Sequence, residues 1–314
     1  MLYLTTRDSK NACTAHKTLC TDMAQDGGLF VPYKFPYLED DALSSVVHST
    51  FGEAVAYILN LFFSVRLSGW DIDLQIGRSP IQIVSMNRKI ITCELWKNPG
   101  SNVEHLIDTL YHCIATNAEH NQKATIWART IIRVAILFGL YAQIVHENDD
   151  SFKIDISVGT QDMTELMAAY YARKIGLPIG QIICCCDAGD SLWDLLHGGA
   201  INTRNSGQSQ LTAAELLICE TLGHVQAQYF ASVVARHGTF TLSEEDFSVF
   251  SAGIYPVAVG SDRAESVISS VRRSAGYSID TTAAITFGGL QDYRAQTGES
   301  CTTMLLVQSA PNAI

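Results

Sequence analysis

The feature that most constrains the fold is a strand–helix–strand unit in the middle of the chain. Residues 152–158 fit a strand, and a helical segment follows from Leu166 to Ile175. Gly176-Leu177-Pro178 ends that helix, because glycine and proline commonly stop helices. Residues 181–186 then form a continuous apolar run, which is typical of a strand covered on both faces. The unit predicts an α/β fold with a parallel sheet.

Hydrophobic periodicity predicts the remaining elements. Helices are expected at 41–65, 103–116, 124–146, 211–236 and 262–275. Strands are expected at 89–96 and at Met304 to Gln308, and 198–210 is expected to be a mobile loop.

Composition excludes several classes of partner. The 314 residues are 47% apolar and 17% charged, which is typical of a compact globular protein. A net charge of −11 argues against binding to nucleic acid or to an anionic membrane. The apolar stretches 54–65 and 131–145 are short, and the second contains Arg133, so both are expected to be buried core helices. Nine cysteines without framework spacing, and an N-terminus without a signal pattern, predict a reduced, cytoplasmic protein.

Several motifs carry a family resemblance, and they run in order through most of the chain. They are Met1, Tyr3 and Thr5-Thr6-Arg7, Asp26-Gly27-Gly28-Leu29-Phe30-Val31-Pro32, Trp127-Ala128-Arg129, Ala169 to Ile179, and Gly276-Tyr277 with Asp280. Together they resemble threonine synthase, an enzyme of the fold-type-II class that uses pyridoxal phosphate (PLP). The resemblance implies a parallel-sheet core with a mainly helical N-terminal domain, here residues 1–92, followed by an α/β domain at 93–314.

The family's Schiff-base lysine is missing. When Glu94-Leu95-Trp96 and Pro99 are aligned with the family's signature, that lysine falls on Glu104. A carboxylate cannot form an imine, so the family's chemistry is not expected here and no PLP is expected to bind. Lys97 is a poor substitute, because its reach and direction are both wrong.

The family's phosphate loop has also changed. The segment Val158 to Glu165 lacks both glycines of the loop, and it adds the charges of Asp162 and Glu165. Glycines allow backbone amides to approach a phosphate closely, and carboxylates repel it. The former PLP site is therefore assigned to Glu104, Thr160, Gln161, Asp162, Thr164, Glu165 and Ser309, the last of which lies where the family contacts the cofactor's ring nitrogen.

A whole small domain of the family is expected to be absent. In the family it lies between the lysine motif and the Trp-Ala-Arg motif and forms one wall of the active site. Here about twenty residues separate the two motifs, and the removal point is predicted near 113–123.

Individual residues have both a structural and a functional interpretation. Glu104, His105 and Asp162 are either charges at helix N-termini or acid/base groups in the former cofactor cavity. No metal is predicted, because His105, His112 and His120 lack ligand spacing. Trp193-Asp194-Leu195-Leu196 is interpreted as an amphipathic turn in the core, with an exposed partner surface as the alternative. The Gly-Gly pairs, including 288–289, are interpreted as turns or close packing.

Three functions remain open. The first is a non-catalytic homologue that binds a small molecule or a protein, or self-associates, at the face exposed by the domain loss. The second is a PLP-independent enzyme that uses the acid/base groups in the former cofactor cavity. The third is residual threonine synthase activity.

Overall fold

The computed structural model describes residues 1–77, 81–87, 89–97, 102–115, 123–148, 152–187 and 189–310. Its strands, in chain order, are β1 (Leu2–Thr5), β2 (Asp8–Thr14), β3 (Phe30–Pro32), β4 (Gln82–Asn87), β5 (Ile90–Glu94), β6 (Ile154–Gly159), β7 (Ile179–Asp187), β8 (Ala200–Asn202), β9 (Thr239–Thr241), β10 (Ile254–Val259) and β11 (Thr303–Val307).

Helices cover both faces of the main sheet. They are α1 (Ala15–Cys20), α2 (Asp40–Val47), α3 (Phe51–Phe63), α4 (Gly69–Ile76), α5 (Val103–Ile114), α6 (Ile126–Asn148), α7 (Met163–Ile175), α8 (Ser191–Gly198), α9 (Gln208–Leu222), α10 (His224–His237), α11 (Glu244–Phe250), α12 (Ser261–Ala275) and α13 (Thr281–Thr297), with a 3₁₀ turn at Thr203–Asn205.

The main sheet has six strands in the order β10-β7-β6-β11-β5-β4. All neighbours are parallel except β4, which pairs with β5 as an antiparallel edge strand. Every residue of β5, β6 and β11 is buried, including the polar Thr92, Asp155 and Ser157, so these strands are covered on both faces. The predicted strand–helix–strand unit is confirmed as β6, α7 and β7 within a mostly parallel α/β fold.

The long helix α6 lies in the core, between α3 and α7. By length and composition its segment Ile126–His146 could cross a membrane, but 89% of its apolar window is buried inside the protein. This placement supports the interpretation of the apolar run as a core helix.

Two helices predicted as single are each divided in two. The segment 41–65 divides into α2 and α3, because Thr50 caps α3: its hydroxyl accepts from Glu53 N, and the Glu53 carboxylate accepts from Thr50 N. The segment 211–236 divides into α9 and α10 at Gly223, whose φ of +92° favours glycine.

The segment 198–210, predicted as a loop, contains β8, the 3₁₀ turn and the start of α9. The antiparallel partner of β8 is β9, and Ile201 lies opposite Phe240. Because β9 is distant in sequence and both strands are short, no local sequence pattern predicts this pairing.

The predicted domain boundary at residue 92 falls inside β5, and one apolar core extends from Tyr3 to Leu306 across it. Residues 115–125 connect α5 to α6. Most of the predicted removal point, 116–122, and the turn at Pro99 lie outside the described residues.

Candidate functional site

The site predicted from the sequence lies where the carboxyl ends of the parallel strands meet, the usual ligand edge of such sheets. The N-termini of α5 and α7 and the first two turns of α6 converge there. The segment after β11 joins them, because Val103 N donates to Gln308 O (2.8 Å) and Asn102 pairs with Ser309 in a short antiparallel bridge. Ser309 therefore lies beside the helix start that carries Glu104.

Glu104 forms a two-pronged ion pair with Arg129, the arginine of the Trp-Ala-Arg motif. Arg129 Nη1 donates to Glu104 Oε2 (2.6 Å), and Arg129 Nη2 donates to Glu104 Oε1 (2.8 Å). The hydrogen bonds from Arg129 lower the pKa of Glu104 more than its partial burial raises it. Glu104 is therefore a fixed carboxylate at neutral pH and a poor general base.

Asp162 accepts from two arginines on successive turns of α6. Arg133 Nη2 donates to Asp162 Oδ2 (2.8 Å), and Arg129 Nη2 reaches the same oxygen (3.2 Å). Burial raises the pKa of Asp162, but Arg133, Thr164 and Arg129 outweigh that effect and lower the pKa to about 2. Asp162 thus supplies a permanent negative charge.

The backbone amides at the start of α7 already donate hydrogen bonds to other atoms of the protein. Asp162 caps the helix, with Oδ1 accepting from Thr164 N (2.9 Å) and Thr164 Oγ1 (2.7 Å). Met163 N donates to Ser209 Oγ (3.1 Å), and Glu165 N donates to Asp162 O (3.0 Å). The first three amides, which elsewhere make a helix N-terminus an anion site, therefore have partners within the chain.

Glu165 forms the buried end of the cluster. Its side chain accepts a hydrogen bond from Gln308 Nε2, and Gln308 Oε1 in turn accepts from Arg133 Nη2 (3.1 Å). Burial raises the pKa of Glu165 to about 7, because the pairing with Arg133 and Gln308 only partly offsets the loss of water.

A small cavity lies beside Arg133 and Glu165. Arg133 Nε and Glu165 Oε1 line it without a hydrogen-bond partner among the described residues, and the other lining side chains are apolar. Its volume of about 10 Å³ is near the minimum for one water molecule. The cavity is therefore too small for an organic substrate.

The structure brings together only part of the predicted site. Three of the predicted residues, Glu104, Asp162 and Glu165, share one hydrogen-bonded network. We call this network the ion-pair cluster; its members are Glu104, Arg129, Asp162, Arg133, Gln308 and Glu165. Thr160 instead donates to Asp190 Oδ2 (2.6 Å), and Gln161 is exposed.

Two further candidates lie apart from the cluster. His105 is exposed on α5, and its backbone amide donates to the capping Asn102 Oδ1 (3.4 Å). Lys97 pairs with Glu94 and donates to Gln82 Oε1 (2.7 Å), so its amine is engaged elsewhere.

The sequence analysis did not assign Arg129, Arg133 or Gln308 to the site, although it noted Arg129 as part of a family motif. A charge inside an apolar helix was the available signal for Arg133, because such a charge needs a buried partner. Gln308 follows the last strand, and nothing in its local pattern marks it.

The residues at this site do not fit PLP. Position 104 offers a carboxylate instead of an amine, and the amides that would hold the phosphate are engaged. Two arginines are present, but Glu104 and Asp162 already neutralise them. No step can be derived through the cofactor at this site.

Comparison with known sequences gives partial matches. A model described as "Threonine synthase N terminus" matches residues 2–79. Mouse threonine synthase-like 1 is 29% identical over 86 residues, which is 27% of this chain and 12% of that protein. Threonine synthase of Corynebacterium glutamicum is 24% identical over 147 residues, which is 43% of this chain and 30% of that protein. The chain thus matches less than a third of either relative's length.

Comparison with solved structures covers nearly the whole chain. The PLP-bound threonine synthase of Brucella melitensis matches with a TM-score of 0.83 at 15% identity, over 99% of this chain and 89% of that one. The yeast enzyme matches with a TM-score of 0.79 at 15% identity, over 99% and 87%. Residues 2–79 are thus similar to the N terminus of threonine synthases, and the chain has the fold of these fold-type-II PLP enzymes.

Proposed function

We propose that this protein keeps the threonine synthase fold, has lost PLP-dependent catalysis and acts as a non-catalytic binding protein. The observation that carries the proposal is the ion-pair cluster. By the aligned motifs, its side chains would replace the amine and the phosphate cradle that the family needs, and this supports the proposal.

Electrostatics supports this proposal. Two arginines face two permanent carboxylates, so the cluster is nearly neutral before any ligand enters. A phosphate dianion at the start of α7 would lie against Asp162 and would have to displace its hydrogen bonds with Thr164. At contact distance, each like-charge pair near a protein surface opposes binding by roughly 1 kcal/mol or more.

The short connection between α5 and α6 supports the loss of the small domain. Only residues 115–125 lie between the two helices, where the family is expected to carry a domain that closes over its substrate. Without that domain the ion-pair cluster cannot be closed off from water. The surface that the domain would cover is then available to a binding partner. The proposed cytoplasmic location rests on the sequence, whose nine cysteines lack framework spacing.

The second candidate function is PLP-independent acid/base chemistry, and only Glu165 favours it. Its pKa of about 7 suits a general acid or base, whereas Glu104 and Asp162 are held ionised. Because the cavity at Glu165 is the size of a water molecule, this chemistry would need the cluster to open.

The deciding experiment is a PLP titration of the purified protein, followed by borohydride reduction and mass analysis. We expect no imine absorbance and no mass increase, whereas an active threonine synthase treated in parallel should show both. A reducible adduct on one lysine that is lost in Lys97→Arg would contradict the proposal. It would instead favour residual threonine synthase activity.

A further inference from the structure

Two grooves remote from the ion-pair cluster meet at one pair of aromatic side chains. Trp193 and His197 lie one turn apart on α8, and their rings stack with centroids 4.6 Å apart and planes 11° from parallel. A cavity of about 500 Å³ lies on one side of the pair and one of about 420 Å³ on the other, and both residues line each. We call the two joined cavities the Trp193 cleft. Their sizes are typical of ligand sites.

The floor of the larger cavity is the outer edge of β10, which is an edge strand of the main sheet. Pro256 in this strand has no amide hydrogen, and Ile254 N already donates to Ser251 O (3.3 Å). At these two positions the edge offers no free donor, which disfavours the addition of another strand. We therefore expect side-chain contacts to hold most of an occupant of this cavity.

The smaller cavity is mainly apolar and has an acid at its mouth. Ile201 and the Phe240 ring form its apolar wall. Asp194 also lines it, is exposed, and has no side-chain partner among the described residues. The cavity thus pairs an apolar wall with an uncompensated negative charge.

Charge selects the class of occupant. The described residues lining the two cavities include the carboxylates of Asp194 and Asp292 and no lysine or arginine. Arg263 neutralises Asp292 (2.8 Å), which leaves Asp194 as the free anion. A cation beside an aromatic face gains about 0.5–1 kcal/mol at an exposed site. A guanidinium suits both groups, because it is planar, stacks on rings and pairs with carboxylates.

We propose that the Trp193 cleft binds an extended segment of a partner protein that carries an arginine next to an apolar residue. The arginine lies between Asp194 and the stacked pair, and the apolar side chain packs against Ile201 and Phe240. The open, two-part shape and the exposure of His197 favour an extended peptide over an enclosed small molecule. This inference rests on the proposed binding function and names its site and partner class.

The test uses the intact protein with ¹⁵N-labelled tryptophan, and its probe is the peptide acetyl-Gly-Arg-Leu-Gly-amide. The indole resonance of Trp193 should shift saturably, while that of Trp70, exposed on α4, should stay in place. Replacing arginine by citrulline, which keeps the shape and removes the charge, should weaken binding roughly threefold to tenfold. Absence of a Trp193 shift, or equal binding of the two peptides, would overturn the proposal.

Two exposed substitutions keep the test independent of folding. Asp194→Asn should remove most of the preference for arginine over citrulline, and His197→Ala should weaken both peptides. The control Asp41→Asn removes one negative charge from α2. It should change neither the preference for arginine over citrulline nor the affinity for either peptide. If Asp194→Asn and Asp41→Asn change the affinity for the arginine peptide equally, only the net charge of the protein attracts the peptide. That result would contradict the proposed site. This readout is separate from the PLP titration, so failure of the cleft would leave the cofactor result standing.

Discussion

Arg129 donates to both carboxylate oxygens of Glu104, at 2.6 and 2.8 Å, at the position where we expect the family's lysine from the aligned motif. The arginine comes from a motif that this chain shares with threonine synthases, whereas the carboxylate is new. On the proposed function, an arginine shared with the family thus pairs with the carboxylate that stands in place of the family's lysine.

Restoring the lysine alone should not restore the cofactor. Glu104→Lys would place a third cation beside Arg129 and Arg133, which share Asp162 as a counter-charge. We expect no PLP adduct and a loss of roughly 1–2 kcal/mol in unfolding free energy, larger than for Glu104→Gln. Urea denaturation and mass analysis after borohydride reduction measure the two effects. A stable variant with PLP attached at position 104 would show that the rest of the cradle is intact.

The negative charge of Asp162 should matter more than its role as a helix cap. Asp162→Asn keeps a good N-cap but leaves the buried Arg133 without its closest anion. We expect a loss of about 3–5 kcal/mol in unfolding free energy. Asp280→Asn is the matched control, because Asp280 caps α13 without an arginine partner in the described structure and should cost under about 1 kcal/mol. Similar losses in both variants would contradict a charge effect.

Glu165 should make the protein less stable as the pH rises. Its folded pKa of about 7 lies above the ordinary value of 4.5, so the native state binds the proton more tightly than the unfolded state. Its stabilising effect is then complete below about pH 4.5 and is lost as the pH rises to about 7, a change on the order of 3 kcal/mol.

Glu165→Gln should flatten this dependence and raise stability at pH 8. Urea denaturation between pH 5 and 8 measures it. Glu53→Gln serves as the control, because the capping bonds of Thr50 lower the pKa of Glu53 and move its titration below this range. An unchanged slope in Glu165→Gln would place the titrating group elsewhere.

Gly289 is required by close packing against β7. A Cβ at this position would collide with Cys185 Sγ and stand 3.1 Å from Cys185 Cβ. Gly289→Ala should cost about 1–3 kcal/mol in unfolding free energy, and adding Cys185→Ala should recover part of it. Gly207→Ala, where nothing lies within 4 Å, should be tolerated. Thermal unfolding compares the variants, and absence of recovery in the double variant would argue against a steric cause.

The sequence predicted those parts of the fold that depend on local pattern. The unit from β6 to β7 was clear because an apolar strand and a helix stop carry their signals within a few residues. The breaks at Thr50 and Gly223 were missed, because apolar periodicity continues across them while a cap or a positive φ ends the helix. Glu104 and Asp162 were recognised by alignment with a family motif.

Their partners were harder to predict. Arg129 and Arg133 lie one turn apart and reach acids from two other helices, a contact that only the tertiary structure creates. The pKa of Glu165 follows from burial, which charge patterning in the sequence does not reveal.

The last of the described strands, β11, lies in the middle of the sheet, between β6 and β5. During synthesis the strands on either side of β11 cannot be joined until Thr303–Val307 has been made. Until then β5 and β6 each expose an edge that can pair with another chain. A chain interrupted before Thr303 would have neither the central strand nor Gln308, so it should aggregate instead of forming a smaller folded protein. Chaperone demand and sensitivity to premature termination are thus built into the strand order.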